Sequence, residues 1–350
     1  MRTIKWDSER NCPVMVDQTK LPETVTQFHA ETVSDVIESI KTLRVRGAPA
    51  IGAAGAYGVA LSTREHEANN TGTLLNRVRD DADKIASARP TAVNLSKGVQ
   101  RVLDSLDESM SIEELREEAL EAAETLADED VETNKRIGRN GETLLESGQT
   151  VMTHCNAGSL ATVEWGTALG IVYSAHEAGK DVDVITNETR PLNQGSRITT
   201  TELMEHDVET ILIPDNASGL CFQEGRVDAL VVGADRVLLD AGESYDHQAL
   251  VYNKIGTYKH AVIANRHDIP VIVAVPTSTI DPTSTAEDVE IELRDEKELL
   301  EIYGEPNAPE AVDVYNPAFD STPAELVDYL VTEHGVFEPP FTPEKILPDS

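Results

Sequence analysis

Basic residues are scarce in this chain: 29 Lys and Arg stand against 63 Asp and Glu over 350 residues, a formal net charge of -34. That shortage argues against nucleic acid and anionic membranes as partners, because each is recognised through a basic field. The acids are spread along the whole length instead of forming a tail, beside an ordinary hydrophobic fraction of 40%. A diffuse acidic surface points to a halophilic cytoplasm, where salt screens the self-repulsion. Cysteine is also rare. Cys12, Cys155 and Cys221 form no close pair and show no metal-type spacing, which argues against a disulfide framework and suggests no metal site. No apolar run approaches the roughly 18 residues of a membrane span. The opening MRTIKWDSERN has no apolar signal core, so a soluble, cytoplasmic protein is expected. A Walker-type run, a dinucleotide fingerprint and internal repeats are missing as well.

What is present divides in two. The length exceeds the usual single-core range, so two domains are expected. Residues 1–145 read as mainly helical after a short β start. Positions 3–6 and 13–16 suggest a strand pair, and apolar residues recur at helical spacing over 33–43, 48–61, 74–88, 95–106 and 112–145. Ser111 stands as an N-cap before Glu113 and Glu114. Residues 146–350 change rhythm. Short β-rich runs at 150–153, 182–186, 210–213, 229–232 and 271–275 alternate with helices at 167–178, 200–206 and 256–266. That alternation predicts an α/β domain with a doubly wound parallel sheet. Ligands in such sheets bind beyond the carboxyl ends of the strands, where Cys155, Glu188, Asp215 and Asp235 would fall. Residues 277–309, acidic and proline-containing, read as a loose surface excursion.

The run Thr153-His154-Cys155-Asn156-Ala157-Gly158-Ser159 places one cysteine in a glycine-bearing turn after an apolar strand. A strand-to-helix turn there would supply backbone N–H groups that favour a thiolate. Cys12 and Cys221 read instead as buried small hydrophobes. Val232-Gly233-Ala234-Asp235-Arg236 has the same design with a carboxyl, and partial burial at that strand tip would favour a protonated acid. Asn253-Lys254-Ile255-Gly256-Thr257 precedes a helical run, so a lysine and backbone amides would converge on an anion. Arg46-Gly47-Ala48 opens another helix with Pro49 in its first turn, and Arg89-Pro90-Thr91 offers a second guanidinium. His154, His176 and His260 read as packing or supporting groups. Gly55-Ala56-Tyr57-Gly58 reads as close helix packing.

Taken in order, MRTIKWD, DQTKLPE, VRGAPAIGAAGAYG, ARPTAVNL, THCNAGSLAT, GTALG, ETRPLNQGSR, VGADR, NKIGTY and YNPAFDSTPAELV resemble the methylthioribose-1-phosphate isomerase family. That family lies within a superfamily that includes ribose-1,5-bisphosphate isomerases and regulatory subunits of translation initiation factor 2B. The resemblance covers nearly the whole chain. It implies a helical N-terminal domain, a Rossmann-like C-terminal domain, a homodimer, a phosphorylated pentose substrate and no cofactor. By motif, Cys155 and Asp235 match the catalytic pair, and Arg46, Gly47, Ala48, Arg89, Gln194, Asn253 and Lys254 match substrate-binding positions.

The implied reaction converts 5-methylthioribose 1-phosphate, locked as a cyclic acetal, to 5-methylthioribulose 1-phosphate. Asp235 would protonate the ring oxygen, and Cys155 would remove the C2 proton or stabilise the phosphoenolate; a C2-to-C1 hydride shift is the competing route. Three alternatives stay open: a ribose-1,5-bisphosphate isomerase, an isomerase of another 5-deoxypentose 1-phosphate, and a non-catalytic initiation-factor subunit. A second phosphate would call for another cation, whereas Ala157, Gly158, Leu160 and Ala161 are uncharged and suit a methylthio group. The chain departs from the family in a longer stretch over 237–252, which carries Asp240, Glu243, Asp246 and His247.

Overall fold

The computed structural model describes residues 1–89, 92–302 and 304–347. It divides into two compact units, one of residues 1–134 with 158–166, the other of residues 135–157 with the rest.

In the first unit, strands β1 (Ile4–Asp7), β2 (Cys12–Val16) and β3 (Gln27–His29) form an antiparallel sheet, with Ile4 opposite Met15 and Val14 opposite His29. Four helices follow: α1 (Val33–Lys41), α2 (Ala48–Glu65), α3 (Thr71–Ala86) and α4 (Val93–Ser105). The start of α1 is fixed by a reciprocal capping box between Thr32 and Asp35, which satisfies two otherwise orphaned amides. Helix α2 is buried at every position from Ala50 to Thr63, so it is the central helix of the unit. Its small residues admit close neighbours. A Cβ on Gly98 of α4 would lie 2.1 Å from the Gly52 carbonyl oxygen, and one on Gly55 would lie 2.7 Å from Leu95 Cδ1. The glycines of α2 therefore serve helix packing. A long helix, α5 (Ile112–Gly141), carries the chain past the division at Asn134.

The second unit is built on a seven-stranded sheet. Its members in chain order are β4 (Thr150–Thr153), β5 (Asp183–Asn187), β6 (Thr210–Ile213), β7 (Ala229–Val232), β10 (Val271–Ala274), β15 (Tyr329–Thr332) and β16 (Gly335–Phe337). Their spatial order is β16-β15-β10-β7-β4-β5-β6, parallel throughout except for β16. Strands β7 and β10 are continuous apolar runs because both faces are covered, and β4 buries Val151, Met152 and Thr153. Helices α6 (Ala168–Glu177), α7 (Thr200–Glu205), α8 (Ser218–Gln223) and α9 (Thr257–Arg266) lie between strands in sequence. Counting only the six parallel strands, the order is 3-2-1-4-5-6. The direction of winding therefore reverses between β4 and β7, where such sheets leave a crevice at their carboxyl ends.

The long stretch over 237–252 is not one loop. Its ends are strands β8 (Arg236–Leu238) and β9 (Leu250–Lys254), which pair antiparallel. With β11 (Ile280–Asp281) and β14 (Phe319–Pro323) they form a second sheet in the order β11-β8-β9-β14. The excursion over 277–309 is also less irregular than expected, holding β11 and a two-residue pair, β12 (Glu301–Ile302) with β13 (Glu305–Pro306). No helix among the described residues is long and apolar enough to cross a membrane.

Candidate active site

Strands β4 and β7 are neighbours with Val151 opposite Ala229 and Met152 opposite Leu230. Cys155 lies two residues beyond β4 and Asp235 three beyond β7, so both turns emerge where the winding reverses. These turns touch: a Cβ on Gly233 would stand 2.8 Å from the Ala157 methyl and 3.3 Å from Thr167 Oγ1. Glycine at 233 is what lets the two approach. Glu188 and Asp215 likewise follow the ends of β5 and β6.

Cys155 is half-buried, and its backbone is left-handed, with φ 67°. That conformation is uncommon outside glycine and asparagine. Its amide donates to Thr189 Oγ1 at 2.8 Å, and its carbonyl accepts from Thr199 Oγ1 at 2.6 Å. The strand-to-helix turn expected at Cys155 is absent, because α6 starts only at Ala168, after a 3₁₀ turn over Ser159–Ala161. Cys155 is held by side-chain hydroxyls instead of by a helix N-terminus.

Asp235 is exposed, and its amide donates to the Tyr252 carbonyl at 2.9 Å, fastening this turn to β9. The partial burial expected of it is not found in the free chain. Gly233 and Ala234 before it provide little side-chain cover at this strand tip.

Lys254 ends β9, is buried, and lies over the Phe319 ring with Nζ 4.5 Å from the centroid. It has no ion pair among the described residues. Two of the amides that follow it are taken by Asp320: Gly256 N donates to Oδ2 at 2.6 Å and Tyr258 N to Oδ1 at 3.1 Å. Of the amides expected to converge with the lysine, those of Gly256 and Tyr258 are therefore already engaged. Asp320 caps α9, because β14 pairs with β9 and sets Asp320 opposite Asn253, and Lys254 is left as the cation. Desolvation raises the Asp320 carboxyl above its ordinary range, against the two amides that lower it. Asn253 is buried and donates from Nδ2 to Thr257 Oγ1 at 3.0 Å.

Gln194 precedes a single π-helical turn over Gly195–Thr199, a device frequent at functional sites. It is buried, and its Oε1 has no hydrogen-bond partner among the described residues. A buried acceptor left so is suited to a ligand hydroxyl.

Beneath the 254–257 turn lie two buried histidines, His154 and His260, with ring centroids 4.7 Å apart. His154 Nε2 donates to the Ile255 carbonyl at 2.8 Å. Burial pushes His154 down to about 4 and His260 well below the usual range, so both are neutral. The expectation of supporting groups fits this placement. His176 bonds the Val182 carbonyl at 2.8 Å.

The remaining candidates belong to the first unit. Gly47, φ 87°, is the N-cap of α2, and a Cβ there would fall 2.1 Å from the Ala161 carbonyl oxygen. As glycine, this N-cap residue supplies no side-chain cap of its own. Arg46 is half-buried and Ala48 exposed. Arg89 is half-buried between α3 and α4; Pro90 and Thr91 lie outside the described residues. Leu160 and Ala161, expected to face a methylthio group, are buried, with Leu160 fully covered and its carbonyl bonded to Gln18 Nε2 at 2.8 Å. Ala157 is the half-buried member of that set. Sequence reasoning missed Thr189, Thr199 and Asp320. Only the last has a visible cue, as an acid in a short β-like run.

The chain matches the family model described as the Initiation factor 2 subunit family over residues 44–339. It is 45% identical over 344 residues to the methylthioribose-1-phosphate isomerase of Desulforamulus reducens, covering 97% of this chain and 96% of that one. Among solved structures, it resembles translation initiation factor eIF-2B, subunit delta, from A. fulgidus, with TM-score 0.91 and 49% identity over 99% of this chain and 98% of that one. It also resembles 5-methylthioribose 1-phosphate isomerase from Pyrococcus horikoshii, with TM-score 0.92 and 36% identity over 100% and 96%.

Proposed function

The chain belongs to the initiation factor 2 subunit family, and from that premise we propose that it is a sugar-phosphate aldose–ketose isomerase converting 5-methylthioribose 1-phosphate to 5-methylthioribulose 1-phosphate. One observation carries the reading: the 3-2-1-4-5-6 strand order brings the Cys155 and Asp235 turns side by side at the switch point. The names of the full-length relatives supply the substrate.

In the proposed route Asp235 gives its proton to the ring oxygen, and the C1–O ring bond opens. Cys155 takes the proton from C2, and the electron pair becomes the C1–C2 double bond of a phosphoenol. The proton then returns from Cys155 to C1 while the C2 hydroxyl gives its own to the Asp235 carboxylate, leaving the ketone and restoring both groups. Gln194, with its unpartnered buried oxygen, would accept from a sugar hydroxyl, and Asn253 would position another. Lys254 would bind the phosphate as the buried cation of the second unit, and Arg46, Gly47, Ala48 and Arg89 are kept, by motif, as substrate-binding positions of the first. Because Asp235 is exposed in the free chain, its protonated form would depend on the bound phosphate as a neighbouring negative charge. A homodimer is proposed with this activity, and no cofactor takes part.

The test compares purified wild-type, Cys155→Ser and Asp235→Asn proteins on methylthioribose 1-phosphate and on ribose 1,5-bisphosphate at high salt. Each substitution is expected to lower turnover by about three or more orders of magnitude with an unchanged circular dichroism spectrum. Near-normal turnover in either would refute its role. Preference for the bisphosphate would reassign the substrate. Activity on neither sugar would favour a factor subunit, the description carried by the A. fulgidus structure.

A further inference from the structure

Thr189 is fully buried and, like Cys155, left-handed, with φ 63° against 67°. A β-branched residue in that region is a genuine outlier. Glycine or asparagine would reach the same backbone at less cost, so threonine must supply something they lack. Its hydroxyl has three neighbours. It accepts from the Cys155 amide at 2.8 Å, donates to the Asn187 carbonyl at 3.1 Å, and lies 3.5 Å from His154 Nδ1.

The threonine is itself held. Asp215 accepts from the amides of Thr189 and Arg190 at 2.8 and 2.7 Å, and Asn193 N donates to the Thr189 carbonyl at 2.8 Å. Asn187 Nδ2 reaches across to the Thr153 carbonyl at 3.0 Å, so β5 is tied to the residue two before Cys155. The tie to Cys155 thus runs from a fixed turn.

We propose that Thr189 is a positioning residue for Cys155: its hydroxyl holds the Cys155 amide and keeps that residue left-handed, which sets where the thiol stands. Thr199 holds the other side of the same residue through the Cys155 carbonyl. The inference rests on the reading of Cys155 as the group that acts at C2, and its test is arranged to fail separately from that reading.

Thr189→Val keeps the β-branch and removes the hydroxyl, Thr189→Ala removes both, and Thr189→Ser keeps the hydroxyl. Loss of one buried hydrogen bond at the reacting group is expected to lower kcat by about 10- to 100-fold in Val and Ala, with KM within about twofold. Serine is expected to restore kcat to within about threefold of wild type. If Cys155→Ser is inactive while soluble Thr189→Val keeps wild-type kcat, the positioning role is overturned and the reading of Cys155 stands. If Cys155→Ser turns over normally, that reading itself fails. Equal loss in Ser and Val, a rise in KM alone, or failure of both hydroxyl-free variants to fold would each mean that Thr189 serves the fold and not the thiol.

Discussion

His260 is fully buried, and neither ring nitrogen has a hydrogen-bond partner among the described residues. Burial keeps it neutral, with His154 beside it adding to the effect. Unfolded histidines titrate near 6.5, whereas native His154 is held down to about 4. Between these values the unfolded chain binds more protons than the native one, so stability rises with pH and is lost as pH falls through the window. Asp130, pushed up to about 6 by burial, opposes it: above its ordinary range the native state holds the extra proton, and stability falls as pH rises. Only a difference measurement separates the two. His260→Phe removes one buried titrating ring, so acid unfolding followed by fluorescence should shift to lower pH, with a gain of about 1 kcal/mol or more at pH 5. A variant as acid-sensitive as wild type would contradict this account.

Strand β6 is the edge of the seven-stranded sheet and leaves Ile211 and Leu212 about half exposed. Met204 on α7 and Leu220 on α8, which flank β6 in sequence, are also exposed. Open edges with apolar side chains invite pairing unless something covers them. In the proposed homodimer this edge is the expected contact. Sedimentation velocity at about molar salt, where charge repulsion is screened, should show wild type as a pair of 38.1 kDa chains and Ile211→Asp/Leu212→Asp as single chains. A double variant that remains paired would move the contact elsewhere.

The same elements show what sequence could disclose. Strands β7 and β10 were legible because burial on both faces demands unbroken apolar runs. The second sheet was not: Phe319-Asp320-Ser321-Thr322-Pro323 has no apolar alternation, and its partner β9 is far off in sequence. That pairing decides what the 254–257 turn can bind, since it delivers Asp320 to the α9 amides. Cys155 and Asp235 stood out through their glycine-bearing turns. Thr189 did not, because a left-handed backbone at threonine has no local sequence mark.

At the scale of the whole molecule, a net charge of -34 acts on both the fold and the substrate. Self-repulsion weakens the compact state, and the same field repels an approaching sugar phosphate. Raising KCl from about 0.1 M to about 2 M shortens the Debye length from ~10 Å to under ~3 Å. Thermal unfolding should then move to higher temperature, and kcat/KM should rise with salt. Enzymes that steer anions with a basic field show the opposite trend. Flat profiles for both quantities would remove the salt-adapted reading.

The central place of β4 and β7 also bears on how the molecule comes into being. They are adjacent in the sheet, yet β5 and β6 with their helices intervene along the chain and must be laid down on the far side of β4. Contacts of such sequence separation form late and slowly, since the loop must close before pairing rewards it. Neither half of the Cys155–Asp235 pair can be matched by a local folding event. Regain of turnover during refolding therefore marks closure of the sheet's middle, a stage that recovery of helical content would precede.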